Sequence, residues 1–225
     1  MRKFLLQICL FLLLPGITTG QNFYRIRADF SIKEKFANGI SQLIIGSVYY
    51  DKTFNQVVYN IKFPQPEVWV LRDTVMYHLV NNKIVKRQQT FLAAKQSLFS
   101  LALSGEISDY GLKSSFFSIQ KIKKEGSMVI TTWVPDARRE KVFGKILMSN
   151  VNKKLNTIVF YSPDNHLLSQ QQFKNYVNIS GLEFPCEVTQ ITYEKSGKNY
   201  QLTTYKNIMV DAQNEKDFYN FVIPR

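Results

Sequence analysis

Cysteine, histidine and glycine are scarce in this chain, and so are acidic side chains. Of its 225 residues two are cysteine, two histidine and ten glycine, against 29 Lys and Arg and 17 Asp and Glu. One cysteine, Cys9, falls inside an N-terminal apolar run, so Cys186 alone remains beyond it and no intrachain disulfide is expected there. Such a chain must be held together by its core. Cys186 stands in Phe184-Pro185-Cys186-Glu187-Val188, a context that suits a buried small hydrophobe better than a reactive thiol. With His78 on an alternating apolar stretch and His166 in a polar turn, no two-His metal spacing exists, and one cysteine cannot build a thiolate cage. No metal and no cofactor is therefore expected. Ser104-Gly105 and Ser180-Gly181 lack the Gly-x-Ser-x-Gly surroundings of a nucleophile elbow, and no glycine-rich phosphate loop appears. Asp51, Glu67 and Asp73 could pair as hydrolytic carboxylates, but each stands where a turn-forming residue is expected. The chain is not expected to be an enzyme. Asn178-Ile179-Ser180 fits a glycosylation sequon, a pattern short enough to occur by chance.

Long hydrophobic runs are also missing, except at the start. Arg2 and Lys3 precede an apolar stretch from Phe4 to Leu14, Pro15-Gly16 breaks it, and Thr18-Thr19-Gly20 offers small residues before Gln21. That layout predicts a secretory signal over residues 1–20, too short to span a bilayer, followed by one domain over 21–225. Cys9 sits mid-run and is not placed to be lipid-modified, so the exported product is expected to be soluble and not lipid-anchored. A formal charge of +12 would suggest nucleic acid in a cytosolic protein. Here the basic clusters (Lys83, Lys86 and Arg87; Lys121, Lys123 and Lys124; Arg138, Arg139 and Lys141) are scattered, and no aromatic stacking platform interleaves them. Nucleic acid is not expected as a partner. An anionic membrane surface and simple solubility both account for these clusters.

What is present is strand pattern. Val57, Tyr59, Ile61 and Phe63 alternate with Val58, Asn60 and Lys62; Val68 to Leu71, Val75 to Val80 and Ile84-Val85 follow between short turns. Ser115 to Ile122 with Met128 to Val134, Lys145 to Ser149 with Asn156 to Tyr161, and Glu187 to Tyr193 with Tyr200 to Met209 read as further hairpins. One helix is expected over Phe91 to Leu103, with Thr90 as N-cap and Gly105 as stop, and a shorter one around Ala137 to Lys141. About ten strands with one inserted helix predict a mainly β (α+β) domain: a single strongly curved antiparallel sheet, an unclosed β-barrel with a short helical lid. The abundant strand aromatics could simply pack a core. A curved sheet with few helices, however, leaves a concave apolar face that helix, partner or ligand must cover.

Several segments resemble the outer-membrane lipoprotein carrier family, the LolA/LolB type. Gly46-Ser47-Val48-Tyr49-Tyr50, Tyr59 to Pro64 and Trp69 to Tyr77 look like its opening strands, and Arg27-Ala28-Asp29-Phe30-Ser31 like the entry into its first strand. Ile130 to Pro135 is similar to its strand ending in Pro, and Asp217 to Pro224 to its C-terminal Phe-x-Phe-x-x-Pro strand. The family's long opening helix has no counterpart between Gly20 and Arg25, and Lys52-Thr53 stands where it has a basic residue before Pro. The resemblance implies a periplasmic carrier that binds acyl chains of lipoproteins or other lipids in a half-barrel and moves them toward the outer membrane. It also implies inner- and outer-membrane transport components as partners. Tyr59, Ile61, Phe63, Trp69, Leu71, Tyr77, Leu98, Leu101 and Trp133 are the expected cavity lining. The alternative is a non-catalytic periplasmic sensor or adaptor that docks an envelope protein with the same fold.

Overall fold

The structure is a computed structural model in which residues 23–90 and 93–224 are described. The expected signal segment and Phe91 and Leu92 of the expected helix lie outside the described residues. Thirteen strands form one antiparallel sheet: β1 (Arg25–Lys35), β2 (Ser41–Asp51), β3 (Gln56–Phe63), β4 (Glu67–Arg72), β5 (Val75–Val80), β6 (Lys83–Gln89), β7 (Phe117–Glu125), β8 (Met128–Pro135), β9 (Ile146–Val151), β10 (Lys154–Tyr161), β11 (Leu167–Ile179), β12 (Leu182–Glu194) and β13 (Gly197–Val210). The spatial order is β6-β5-β4-β3-β2-β1-β13-β12-β11-β10-β9-β8-β7, two meanders joined where β1 pairs β13. β6 and β7 are the two edges, so the sheet is an unclosed barrel. They are consecutive in sequence but opposite in space, and residues 93–116 of the chain between them cross the inner face.

Turn chemistry explains the meander. Asn81-Asn82 (φ 50° and 58°) and Asn152-Lys153 (φ 50° and 65°) place two consecutive residues in the left-handed region, the conformation whose twist matches flanking strands. Ser180-Gly181 does the same between β11 and β12. There Asn178 Oδ1 accepts the Gly181 N–H at 2.9 Å, so the amide of the sequon serves the turn. The lysine clusters foreseen on β6 and β7 lie on the two sheet edges, where charge opposes edge-to-edge association.

The sheet buries both of its faces unequally. The inner face carries the main core, in which Ile26, Ala28 and Phe30 of β1 alternate with outward Arg27 and Asp29. The outer face of β2–β5 carries a second cluster of Tyr49, Val58, Val70 and Leu79, capped by the C-terminal segment. That segment is not the strand its sequence resembles. Lys216–Tyr219 is a short helix and 220–224 runs on without pairing. Tyr49 stacks on Phe218 (4.8 Å) and meets Tyr219 edge-on (5.4 Å), while Gln56 donates to the Tyr219 and Phe221 carbonyls at 3.2 Å each. Arg72 joins Gln56 Oε1 (2.6 Å) to the Phe221 carbonyl (3.2 Å). These bonds satisfy a tail that has no strand partners.

Four expectations need correction. The helix is shorter: Leu98–Leu103, preceded by a 3-10 turn at Ala94–Gln96, with Ser97 and not Thr90 as the N-cap, its hydroxyl accepting from Ser100 N. Thr90 instead continues the sheet, bonding the Thr74 carbonyl. Residues 137–142 form turns and no helix. β11, thirteen residues long, was not foreseen, because Gln170-Gln171-Gln172 breaks the apolar alternation. Gly46 is a mid-strand residue of β2 and sits at a register shift against β3. A Cβ there would meet the Asn60 carbonyl oxygen at 2.2 Å. Gly46→Ala is therefore expected to destabilise the protein by about 1–3 kcal/mol in urea unfolding, with the m-value unchanged.

Candidate functional site

The inner face is apolar beneath the crossing segment. Phe99, Leu101, Ala102 and Leu103 of the lid helix are buried, and Ile107 and Leu112 continue the cover. Phe99 stacks against Phe184 (5.6 Å) and meets Tyr205 edge-on (5.5 Å); Phe184 and Tyr205 are 5.4 Å apart. This aromatic triad joins the lid to β12 and β13. On the other flank the Tyr50 hydroxyl donates to Ser100 Oγ at 2.9 Å, a buried bond that ties lid to β2. Tyr110, held at φ 54° after a short 3-10 turn, packs on Phe160 and Phe173 and donates to Gln171 Oε1 at 3.0 Å.

Most of the expected lining residues meet here. Tyr59, Ile61, Trp69, Leu71, Leu98, Leu101 and Trp133 all belong to the inner core cluster. Tyr59 lies edge-on to Phe30 (5.5 Å), Trp69 tilts over His78 (4.7 Å) and donates to Glu67 (2.7 Å), and Trp133 donates to Thr131 Oγ1 (2.9 Å). Two residues are placed elsewhere. Phe63 is exposed at the end of β3, and Tyr77 lies in the outer cluster under the C-terminal segment. Tyr77 pairs Val70, so strand alternation sends both outward while Trp69 and His78 point inward. Residues not foreseen, Phe99 and Phe184 above all, form the centre of the site. Cys186 is half-buried and burial pushes its thiol pKa up, away from the thiolate.

Two surface depressions lie away from this interior. One, of about 640 Å³, runs along edge strand β6 (Asn82 to Arg87) and Pro224. The other, of about 480 Å³, lies on the outer face between Leu43, Lys33, Leu202 and Tyr200. No helix among the described residues is long and apolar enough to cross a membrane.

A LolA superfamily protein from Nitrosomonas europaea superposes with a TM-score of 0.58 at 15% identity, covering 88% of this chain and 91% of that one. The chain has a LolA-like fold. A putative outer membrane lipoprotein-sorting protein domain from Vibrio parahaemolyticus matches with a TM-score of 0.60 at 12% identity over 90% and 92% of the two chains. A DUF1329 family protein from Desulfovibrio piger gives 0.60 at 12% identity over 88% and 90%. No family model matches the sequence, and no curated protein is similar to it at the sequence level. The LolA-like likeness is thus one of fold, at 12–15% sequence identity.

The buried phenols supply a test of lid closure. Burial raises Tyr59 and Tyr110 to about 12 and pushes Tyr205, which faces both, higher still. A phenol whose folded pKa lies above its unfolded value near 10 favours the fold while protonated. The stability it contributes is fully present below pH 10 and is lost as pH rises through 12. In an alkaline titration read at 295 nm, the inner tyrosines are expected to ionise only above about pH 12, together with loss of near-ultraviolet circular dichroism.

Proposed function

We propose that this protein is a periplasmic, non-catalytic carrier that binds acyl chains of lipids or lipoproteins against the inner face of its half-barrel, after export directed by residues 1–20. The observation that carries the reading is the covered apolar face itself. One short crossing segment, tied down by the Tyr50–Ser100 bond and the Phe99 aromatic contacts, screens an aromatic and aliphatic wall drawn from many strands. The LolA-like fold supports it, as does the likeness to the outer membrane lipoprotein-sorting protein domain of Vibrio parahaemolyticus.

A lid of this kind works by exchange. A six-residue helix is far below the length that is stable alone, so its shape depends on the wall it packs against. An acyl chain that slides between wall and lid replaces those contacts with its own. Burying sixteen carbons gains about 13 kcal/mol at roughly 0.8 kcal/mol per methylene, the same as a membrane offers. A carrier need only match that figure, and tighter packing would hinder release. Tyr59, Ile61, Trp69, Leu71, Leu98, Leu101 and Trp133 are the wall and lid residues assigned to the chain. Handover to membrane components and attraction to anionic surfaces through the basic edges belong to the same proposal.

Native mass spectrometry of protein purified from its own periplasm, with uptake of a fluorescent fatty acid, tests it. Co-purified phospholipid or acylated protein is expected, and Leu98→Asp should cut uptake at least tenfold because a half-buried apolar side chain becomes charged at the lid edge. A clean apo mass with no uptake would instead favour an adaptor that uses its basic edge strands β6 and β7 to dock an envelope protein.

A further inference from the structure

The inner face changes character in one step of the sheet register. Phe173, Val188, Thr203, Ile32 and Ile44 stand directly opposite one another across β11, β12, β13, β1 and β2, an apolar row interrupted by one threonine. Two residues further along, about 7 Å away, the same five strands present Gln171, Gln190, Gln201, Glu34 and Gln42, each the direct cross-strand partner of the next. The row beyond, Ser169, Thr192 and Asn199, is polar again. The crossing segment touches the glutamine row at the Tyr110–Gln171 bond.

The row is neutral to acidic in a chain of net charge +12. Lys33 and Lys35 flank Glu34 but alternate to the outer face, and Lys174, Lys198 and Lys206 fall on that outer face too. Among the described residues no basic side chain pairs with Glu34, whose carboxyl burial pushes up toward the neutral form. The amides are already oriented. Gln171 donates to Gln190 (3.1 Å), Gln190 to Thr192 (3.4 Å) and Gln201 to Thr203 (3.1 Å). A rim needing only solubility would take lysines, which this chain has in excess; a line of amides instead offers donors and acceptors side by side.

We infer that the glutamine row is a head-group site, selecting amphiphiles whose polar part is uncharged and rich in hydroxyl or amide groups over those with an anionic phosphate. This rests on the carrier reading: the chain lies under the lid, and the head lies on Gln171, Gln190 and Gln201. A phosphate would find no cation there and would face Glu34, whereas a sugar or a peptide backbone can exchange hydrogen bonds with the amides.

Calorimetric titration with three amphiphiles sharing a dodecyl-length chain, each below its micellar concentration, tests the inference. Dodecyl maltoside and N-dodecanoyl-Ser-Gly-Gly-amide are expected to bind at least tenfold more tightly than dodecyl phosphate, and the tighter of the two tells a sugar head from an acylated peptide. Replacing Gln190→Lys should narrow or reverse the preference against phosphate, and Gln190→Leu with Gln201→Leu should reduce it below threefold while keeping chain uptake. Equal or tighter binding of dodecyl phosphate by the unaltered protein overturns the head-group site alone, whether or not the variants fold. Binding of none of the three overturns the carrier reading as well.

Discussion

An antiparallel sheet that does not close has to dispose of its inner face, and the means of doing so is dictated by connectivity. β6 and β7 are the two edges of the sheet and also neighbours in the chain, so the polypeptide must travel from one rim to the other. Crossing outside would leave the aromatic wall of Phe30, Phe184 and Tyr205 in water, where each large ring costs several kcal/mol. Crossing inside covers it. The lid helix, the buried Tyr50–Ser100 bond and the aromatic triad follow from that single path, as does the weakness of the lid: it is one strap, not a layer.

The outer face has no such strap and uses the chain terminus instead. Tyr49, Val58, Val70 and Leu79 would form an exposed apolar patch on β2–β5 without the Lys216–Tyr219 helix and the segment after it. Arg27 forms an ion pair with Glu215 (2.7 Å), and Arg25, paired with buried Asp51 (3.0 Å), lies over the Tyr219 ring (4.8 Å), so the covering segment is held by charge as well as by packing. The chain thus covers the outer patch with its C-terminal segment, as it covers the inner face with the crossing segment.

How much of this could be read in advance depended on whether a feature is local. The hairpins around Asp73-Thr74, Asn81-Asn82 and Glu125-Gly126 are local, written in alternation and turn residues, and the structure has them. β11 defeated the same method because three consecutive glutamines hide its period. The C-terminal segment carries strand-like residues but packs over the outer face of β2–β5 and extends neither free edge of the sheet. Tyr77 was assigned to the cavity for being aromatic, although one step of alternation from Trp69 and its partner His78 sends it outward. Phe99 and Phe184, far apart in sequence, become a site only through the crossing segment, and no spacing in the sequence announces that meeting.

The glutamine row is the extreme case of the same point. Gln171, Gln190, Gln201, Glu34 and Gln42 come from five strands and are unremarkable one by one; register alone makes them a line. Their position also bears on how a carrier releases its load. A wholly apolar trough would hold a chain at any depth, with nothing to set where it stops. A polar row 7 Å beyond an apolar one fixes the depth, because pushing the head inward strands its hydrogen bonds and drawing the chain outward exposes methylenes at about 0.8 kcal/mol each. Under the proposed carrier function, the register of the sheet, and not the length of the trough, sets the depth at which a chain binds.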